Sequence, residues 1–182
     1  MITRVAIESD IDEILELQSR NLYTNLSETE RAEGFVTTPF IVEQIKTLLP
    51  QPGVFVAEKE GSVVGYTFAG NWDFFSRWAI FLYMTSRFPQ LKFQGTQITA
   101  DNTFQYGPVC IDQTLRGSGA FPQLFETMRS SFAARYPIGV TFINKANPRS
   151  LAAHTQKLNL EIIDEFEFNG NFYFGLGFWT KG

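Results

Sequence analysis

Residues 111–124, IDQTLRGSGAFPQL, set Arg116, Gly117, Ser118 and Gly119 between the end of one apolar run and the start of an apolar stripe. A strand that turns through glycines into a helix presents bare backbone N–H groups at the positive end of the helix dipole, which makes a ready anion site. Phosphate is the anion that suits it best. The spacing is not that of a Walker A loop, because no Lys follows the glycines. It is not a full dinucleotide fingerprint either, because position 122 is Pro where a third Gly or Ala would stand. A Gly-x-Gly after a strand also has a plain reading, a turn that needs positive φ.

Asn147, Ser150 and His154 form a second group, spaced three and then four apart and so on one helix face. His154 is the one histidine, and an imidazole with a pKa near ~6.5 can give up a proton at neutral pH. The competing reading is structural. Asn147 caps a helix with Pro148 in its first turn, and His154 fills a slot beside Leu151 and Leu158. Both readings stand for His154. Cys110 is the single cysteine, so there is neither an intramolecular disulfide nor a Cys-rich metal framework, and a small buried hydrophobe explains it better than a nucleophile does. Asp112, where the strand ends, reads as an acceptor that orders the loop, with a general base as the alternative.

These residues need a scaffold, and the hydrophobic periodicity supplies one. ITRVAI at 2–7 reads as a strand; Ser9 and Asp12 have the spacing of a capping box, and Ile11, Ile14, Leu15, Gln18 and Leu22 form a helical stripe. Thr38 and Pro39 open a second helix that carries Ile41, Ile45 and Leu48. Residues 53–70 form a hairpin turned at KEGS, 73–87 a helix followed by a loop, and 106–112 a buried strand in which Gly107-Pro108 marks a bulge or an unpaired edge. Phe121, Leu124, Phe125, Met128 and Phe132 share one helical face, giving Phe121 a core-directed role. A strand, IGVTFINKA, a helix, NPRSLAAHTQKLN, and a hairpin turned at Asn169-Gly170 complete a single mixed α/β domain on a central sheet.

Composition narrows the function classes. With 15 Lys and Arg against 19 Asp and Glu, the net charge is −4, so no overall basic field exists to hold nucleic acid or an anionic membrane. WAIFLYM at 78–84 is far short of the roughly 20 apolar residues needed to span a bilayer. The N-terminal segment does not read as a secretory signal, and one cysteine fits a reducing cytoplasm. The 19 Phe hint at a wide aromatic interior or pocket.

The loop I-D-Q-T-L-R-G-S-G-A-F-P-Q-L-F resembles the signature loop of the GNAT acetyltransferase superfamily, with Ile111, Arg116, Gly119, Leu124 and Phe125 on the matching positions and Phe121 where that pattern wants Gly or Ala. KANPRSLAAHTQKLNLE is similar to a second GNAT segment through Asn147, Ser150 and Lys157, with His154 where the family often carries Tyr. The resemblance runs over essentially the full chain and implies an acetyl-CoA-dependent transfer to a primary amine of a small molecule or peptide, without metal. It places Val109, Cys110 and Ile111 beside the pantetheine. The backbone of Arg116, Gly117, Ser118, Gly119 and Ala120, with Phe121 next to it, would hold the pyrophosphate, leaving the Arg116 guanidinium free to add a contact. Asn147 would contact the pantetheine or hold the second strand open, and Ser150 would join it among the cofactor-binding residues. His154, Tyr106 and Tyr173 are the candidates for the acid, and Phe35, Tyr66, Trp72 and Trp78 for the acceptor pocket. A non-catalytic acyl-CoA-binding module is the alternative, a nucleotide-binding module a third reading, and the closing hairpin could pair a homodimer.

Overall fold

A computed structural model describes residues 1–181. The strands are β1 (Ile2–Val5), β2 (Val54–Lys59), β3 (Ser62–Gly70), β4 (Lys92–Phe93), β5 (Thr96–Gln97), β6 (Thr103–Ile111), β7 (Ile138–Asn144), β8 (Glu161–Phe168) and β9 (Asn171–Trp179). The helices are α1 (Ile11–Asn21), α2 (Glu28–Arg31), α3 (Val42–Leu48), α4 (Trp72–Phe75), α5 (Ala79–Arg87), α6 (Ala120–Phe132) and α7 (Pro148–Ala152). Seven strands form a mixed sheet in the order β1-β2-β3-β6-β7-β9-β8, and β4 with β5 makes a separate two-stranded hairpin. The chain divides into two compact units, residues 1–69 with 107–131 and residues 70–106 with 132–182, so β6 contributes to both.

In the first unit β1 pairs antiparallel with β2, and β2 with β3. Ile14, Leu17, Ile45, Leu48, Leu124 and Met128 have no exposed surface; each is a position on one face of an amphipathic helix. The Ser9–Asp12 capping box is not formed. A single 3-10 turn over Glu8–Asp10 precedes α1 instead, and the Asp10 carboxylate accepts the Ile7 N–H at 2.8 Å while binding the Arg4 guanidinium through both oxygens. The Arg4 pair explains the difference: Asp10 is drawn to a charge on β1 and takes the capping role with it. The second helix starts at Val42 rather than Pro39, because the Gln44 side chain accepts the Ile41 N–H and fixes the entry there. The polar stretch before it contains α2, capped by Ser27 and Glu30 in a capping box that the sequence reading passed over.

In the second unit β7 pairs antiparallel with β9 and β9 with β8, around a turn at Asn169-Gly170 where both residues have positive φ. The expected single helix over 73–87 is two, α4 and α5, interrupted at Ser76–Trp78, where the Asn71 side chain caps the first and Trp78 opens the second in extended geometry. Strand β6 begins at Thr103, earlier than expected, because Phe104 stacks on Phe132 at 4.3 Å and is buried with it. The loop expected before it contains the β4–β5 hairpin.

Candidate active site

Strand β6 runs parallel to β7 over Thr103–Gln105, in register with Ile138–Val140, and then continues to Ile111 outside that register. The Gly107-Pro108 peptide, expected as a bulge or an edge, is cis. The Asp112 N–H donates to the Val64 carbonyl at 2.8 Å, and the Cys110 carbonyl lies against Gly65. Alternate residues of a strand turn their backbone groups to opposite edges. Cys110 and Asp112 therefore face β3, and Val109 and Ile111 direct their N–H and C=O groups to the other edge.

Past Ile111 the loop is stapled from within. The Asp112 carboxylate accepts the Thr114 N–H at 2.9 Å and the Thr114 hydroxyl at 2.6 Å, contacts that, with Arg20 at 3.6 Å, hold it below the ordinary carboxylate range. Its loop-ordering role is the one observed. Gly117 and Gly119 have φ of 86° and 88°, a region closed to most L-residues. A Cβ built on either would meet nothing within 4 Å, so the space on the side a side chain would occupy is open at both. Among the described residues neither glycine's N–H has a hydrogen-bond partner, whereas Ser118 N–H is spent on Leu115 and Ala120 N–H reaches the Ser118 hydroxyl at 3.4 Å. Both glycine amides stand at the head of the 13-residue α6.

Two expectations about this loop change. Arg116 is not free: one guanidinium nitrogen donates to the Glu33 carbonyl at 2.6 Å and lies 3.8 Å from the Glu33 carboxylate. It pins the loop to the segment after α2. Phe121 is only half-buried, while Leu124, Phe125, Met128 and Phe132 of the same face are buried. A residue in the first turn projects past the end of the core, so being in phase with the stripe does not bury it.

Cys110 is buried, and burial pushes its thiol up to about 12. It stays a protonated small hydrophobe. Tyr66 is fully buried and its hydroxyl has no hydrogen-bond partner among the described residues; burial raises its pKa well above the phenol range.

In the second unit Asn147 caps α7 by accepting the Ser150 N–H at 3.2 Å, as the structural reading expects. A π turn over Ala153–Lys157 extends α7 and carries His154 inward, where it is buried. His154 Nδ1 lies 2.7 Å from the Ser150 carbonyl and Nε2 lies 3.3 Å from the Tyr106 hydroxyl. A carbonyl only accepts, so Nδ1 carries the proton. With the ring neutral, Nε2 then accepts from the Tyr106 O–H. Burial lowers the His154 pKa to about 4, so at neutral pH it is uncharged. Tyr106, with no exposed surface, is pushed far above the usual phenol range by burial. Tyr173 lies on β9, stacked on Phe166 at 5.3 Å and edge-on to Phe142 at 5.4 Å, and burial raises it as well.

The structure thus joins Tyr106, Ser150 and His154, and the loop residues 116–120 form one turn. Two participants escaped the sequence reading. Glu33 sits in a polar stretch with nothing to tie it to Arg116, and Gln105 is a lone amide in the apolar run TFQYGPVC, a signal that was present and passed over. Among the described residues no group of three or more His, Cys, Asp or Glu could hold a metal, and no helix is long and apolar enough to cross a membrane.

No family profile and no curated protein matches the sequence. Solved structures match over nearly the whole length. An N-acetyltransferase from Staphylococcus aureus Mu50 superposes with a TM-score of 0.63 at 19% identity, covering 99% of this chain and 98% of that one. The Salmonella typhimurium protein yncA, solved with its cofactor acetyl-CoA, gives 0.65 at 14% identity over 100% and 95%. A GNAT superfamily phosphinothricin acetyltransferase from Sinorhizobium meliloti, in complex with acetyl-CoA, gives 0.62 at 16% over 98% and 87%. The chain has the fold of the GNAT acetyltransferases.

Proposed function

We propose that this chain is an acetyl-CoA-dependent N-acetyltransferase that moves the acetyl group to a primary amine by direct attack. One observation carries the reading: two open, unbonded amides at Gly117 and Gly119 head α6, directly after a strand whose Val109 and Ile111 have left the β7 register. That arrangement matches a ligand with an extended amide-bearing arm and a diphosphate, and two neighbours of the same fold were solved with acetyl-CoA.

When bound, acetyl-CoA supplies an activated thioester carbonyl. Val109 and Ile111 pair with the amides of its arm, with Cys110 as inert packing between them. The backbone of Arg116, Gly117, Ser118, Gly119 and Ala120 holds the diphosphate, Phe121 flanks it, and Arg116 keeps the loop in place through Glu33. The neutral amine forms the new C–N bond, the C–S bond breaks with its electron pair on sulfur, and the amine's surplus proton passes to water. Tyr106 donates to the sulfur, and the proton released to water returns to the phenol, so the enzyme ends as it began. Burial keeps that phenol protonated at neutral pH, so its O–H is present to stabilise the charge that develops on sulfur. His154 is a positioning residue here, since its one ring proton is committed to the Ser150 carbonyl. Asn147 and Ser150 hold the helix that carries it. Tyr173 is the other phenol able to serve, and its replacement by Phe separates the two.

The complete burial of Tyr106 favours a second reading, acyl-CoA binding without transfer. Calorimetry with acetyl-CoA and release of CoA thiol over a panel of primary amines decide between them. Binding with release supports the transferase; binding without release leaves the carrier. Thermal stabilisation by ATP and none by acetyl-CoA overturns both.

A further inference from the structure

Gln105 is 1% exposed, and its Oε1 is, with the Tyr66 hydroxyl, one of two buried side-chain polar atoms without a partner among the described residues. Its orientation is fixed. Gln105 Nε2 donates to the Tyr106 carbonyl at 2.7 Å, which identifies the nitrogen and leaves the oxygen turned away. An amide oxygen buried without a donor is costly, commonly by about 1–3 kcal/mol, so what it waits for needs an explanation.

Its surroundings describe the missing donor. Gln105 shares its sheet face with Thr103, which accepts the Trp72 indole N–H at 2.9 Å, and sits in register with Val140. Two residues along β7 on that face is Phe142, 5.5 Å from Phe81; Phe81 is 6.0 Å from Trp78. Trp78 and Phe142 are half-buried. Two carboxylates lie on this face: Asp164 holds the Arg87 guanidinium through both oxygens, and Glu161 accepts from the neutral Gln94 amide and keeps its charge. Of the two, a polycation finds only Glu161 unneutralised. An amino group finds one oxygen and several ring faces.

We infer that Gln105 Oε1 receives the amino group of the acyl acceptor, and that this group is carried on an aromatic or similarly apolar body resting on Trp78 and Phe142. The inference rests on the transferase reading and names the acceptor class for it. An N–H of the amine donates to Oε1 in the ammonium and the neutral state alike, so the contact survives the deprotonation that precedes attack.

The test measures binding of 2-phenylethylamine to the full chain by quenching of tryptophan fluorescence, with spermidine as the contrasting probe, in wild type, Gln105→Leu and Gln105→Met. Acetyl-CoA binding is measured in parallel by calorimetry. The expected result is quenching by 2-phenylethylamine, with at least tenfold weaker response to spermidine. Loss of one charge-assisted hydrogen bond should weaken the amine about tenfold in whichever variant folds, with acetyl-CoA affinity unchanged. Amine affinity within twofold of wild type in a folded variant, no quenching in wild type, or a preference for spermidine overturns the inference. Wild-type quenching without acetyl-CoA binding leaves Gln105 as an amine site and removes the transferase reading instead.

Discussion

Tyr106 and His154, forty-eight residues apart, meet through a 3.3 Å hydrogen bond in the buried interior, and the Ser150 carbonyl decides its direction by claiming the other ring nitrogen. The phenol is the donor of the pair. On the proposed mechanism Tyr106→Phe removes the donor to sulfur and is expected to lower kcat by about 10²-fold or more with acetyl-CoA affinity intact. His154→Phe leaves the phenol present but without its partner, costing about 1–3 kcal/mol of stability and a smaller share of kcat. Thermal denaturation and steady-state kinetics on both variants check the division of roles; an equal loss of kcat would put His154 in the chemistry itself.

The same histidine makes stability depend on pH. Its pKa falls from 6.5 to about 4 on burial, so between those values the unfolded chain binds the proton and the folded chain resists it. The contribution of the neutral ring is complete above pH 6.5 and is lost as pH falls toward 4, amounting to about 3 kcal/mol. Urea denaturation across that range should show the slope in wild type, and it should flatten in His154→Phe.

Gly119→Ala is expected to destabilise the chain by about 1–2 kcal/mol through backbone conformation alone, because its φ is 88° and no neighbour crowds the new methyl group. On the proposed reading acetyl-CoA affinity should fall further than stability does, since the methyl is added to the turn that holds the diphosphate. Calorimetry and thermal denaturation of Gly119→Ala and Gly119→Asn separate the two effects, Asn tolerating positive φ better.

Gly139 on β7 faces a different constraint. A Cβ there would run into the ring of its register partner Phe178, which is itself held edge-on by Phe104 and Tyr106. Gly139→Ala should cost about 1–3 kcal/mol by overpacking, and Phe178→Leu should recover part of the loss. A double-mutant cycle in denaturant measures the coupling.

Cys110 should be silent toward thiol reagents at pH 8, with its thiol buried and pushed up to about 12. Labelling should appear only on unfolding, and Cys110→Ser should retain turnover. Reaction in the native state at a rate near that of free cysteine would contradict the packing role.

Local chemistry was readable in the sequence wherever neighbours in the chain did the work. The Asn169-Gly170 turn, the Asn147 cap and the apolar face of α6 each depend on residues within a few positions of one another. What escaped depends on partners far along the chain. The Ser9–Asp12 capping pattern gives way to Asp10 held by Arg4, Arg116 reaches Glu33, and Gln105 is left with its side-chain oxygen unpaired inside the sheet. Periodicity could not report any of these, since none repeats. Phe121 shows the complementary error: it is in phase with the stripe, yet a helix has an end and the core beneath it has one too.

Pro122 stands in the first turn of α6 and has no N–H, which leaves the amides of Gly117 and Gly119 as the loop's open donors. Backbone amides do not titrate and carry no side chain to exchange. The grip they offer an anion should therefore be the same from mildly acidic to alkaline pH and largely indifferent to the side chains around it. A handle of that kind is fixed by the path of the main chain and can stay constant while the side chains around it change.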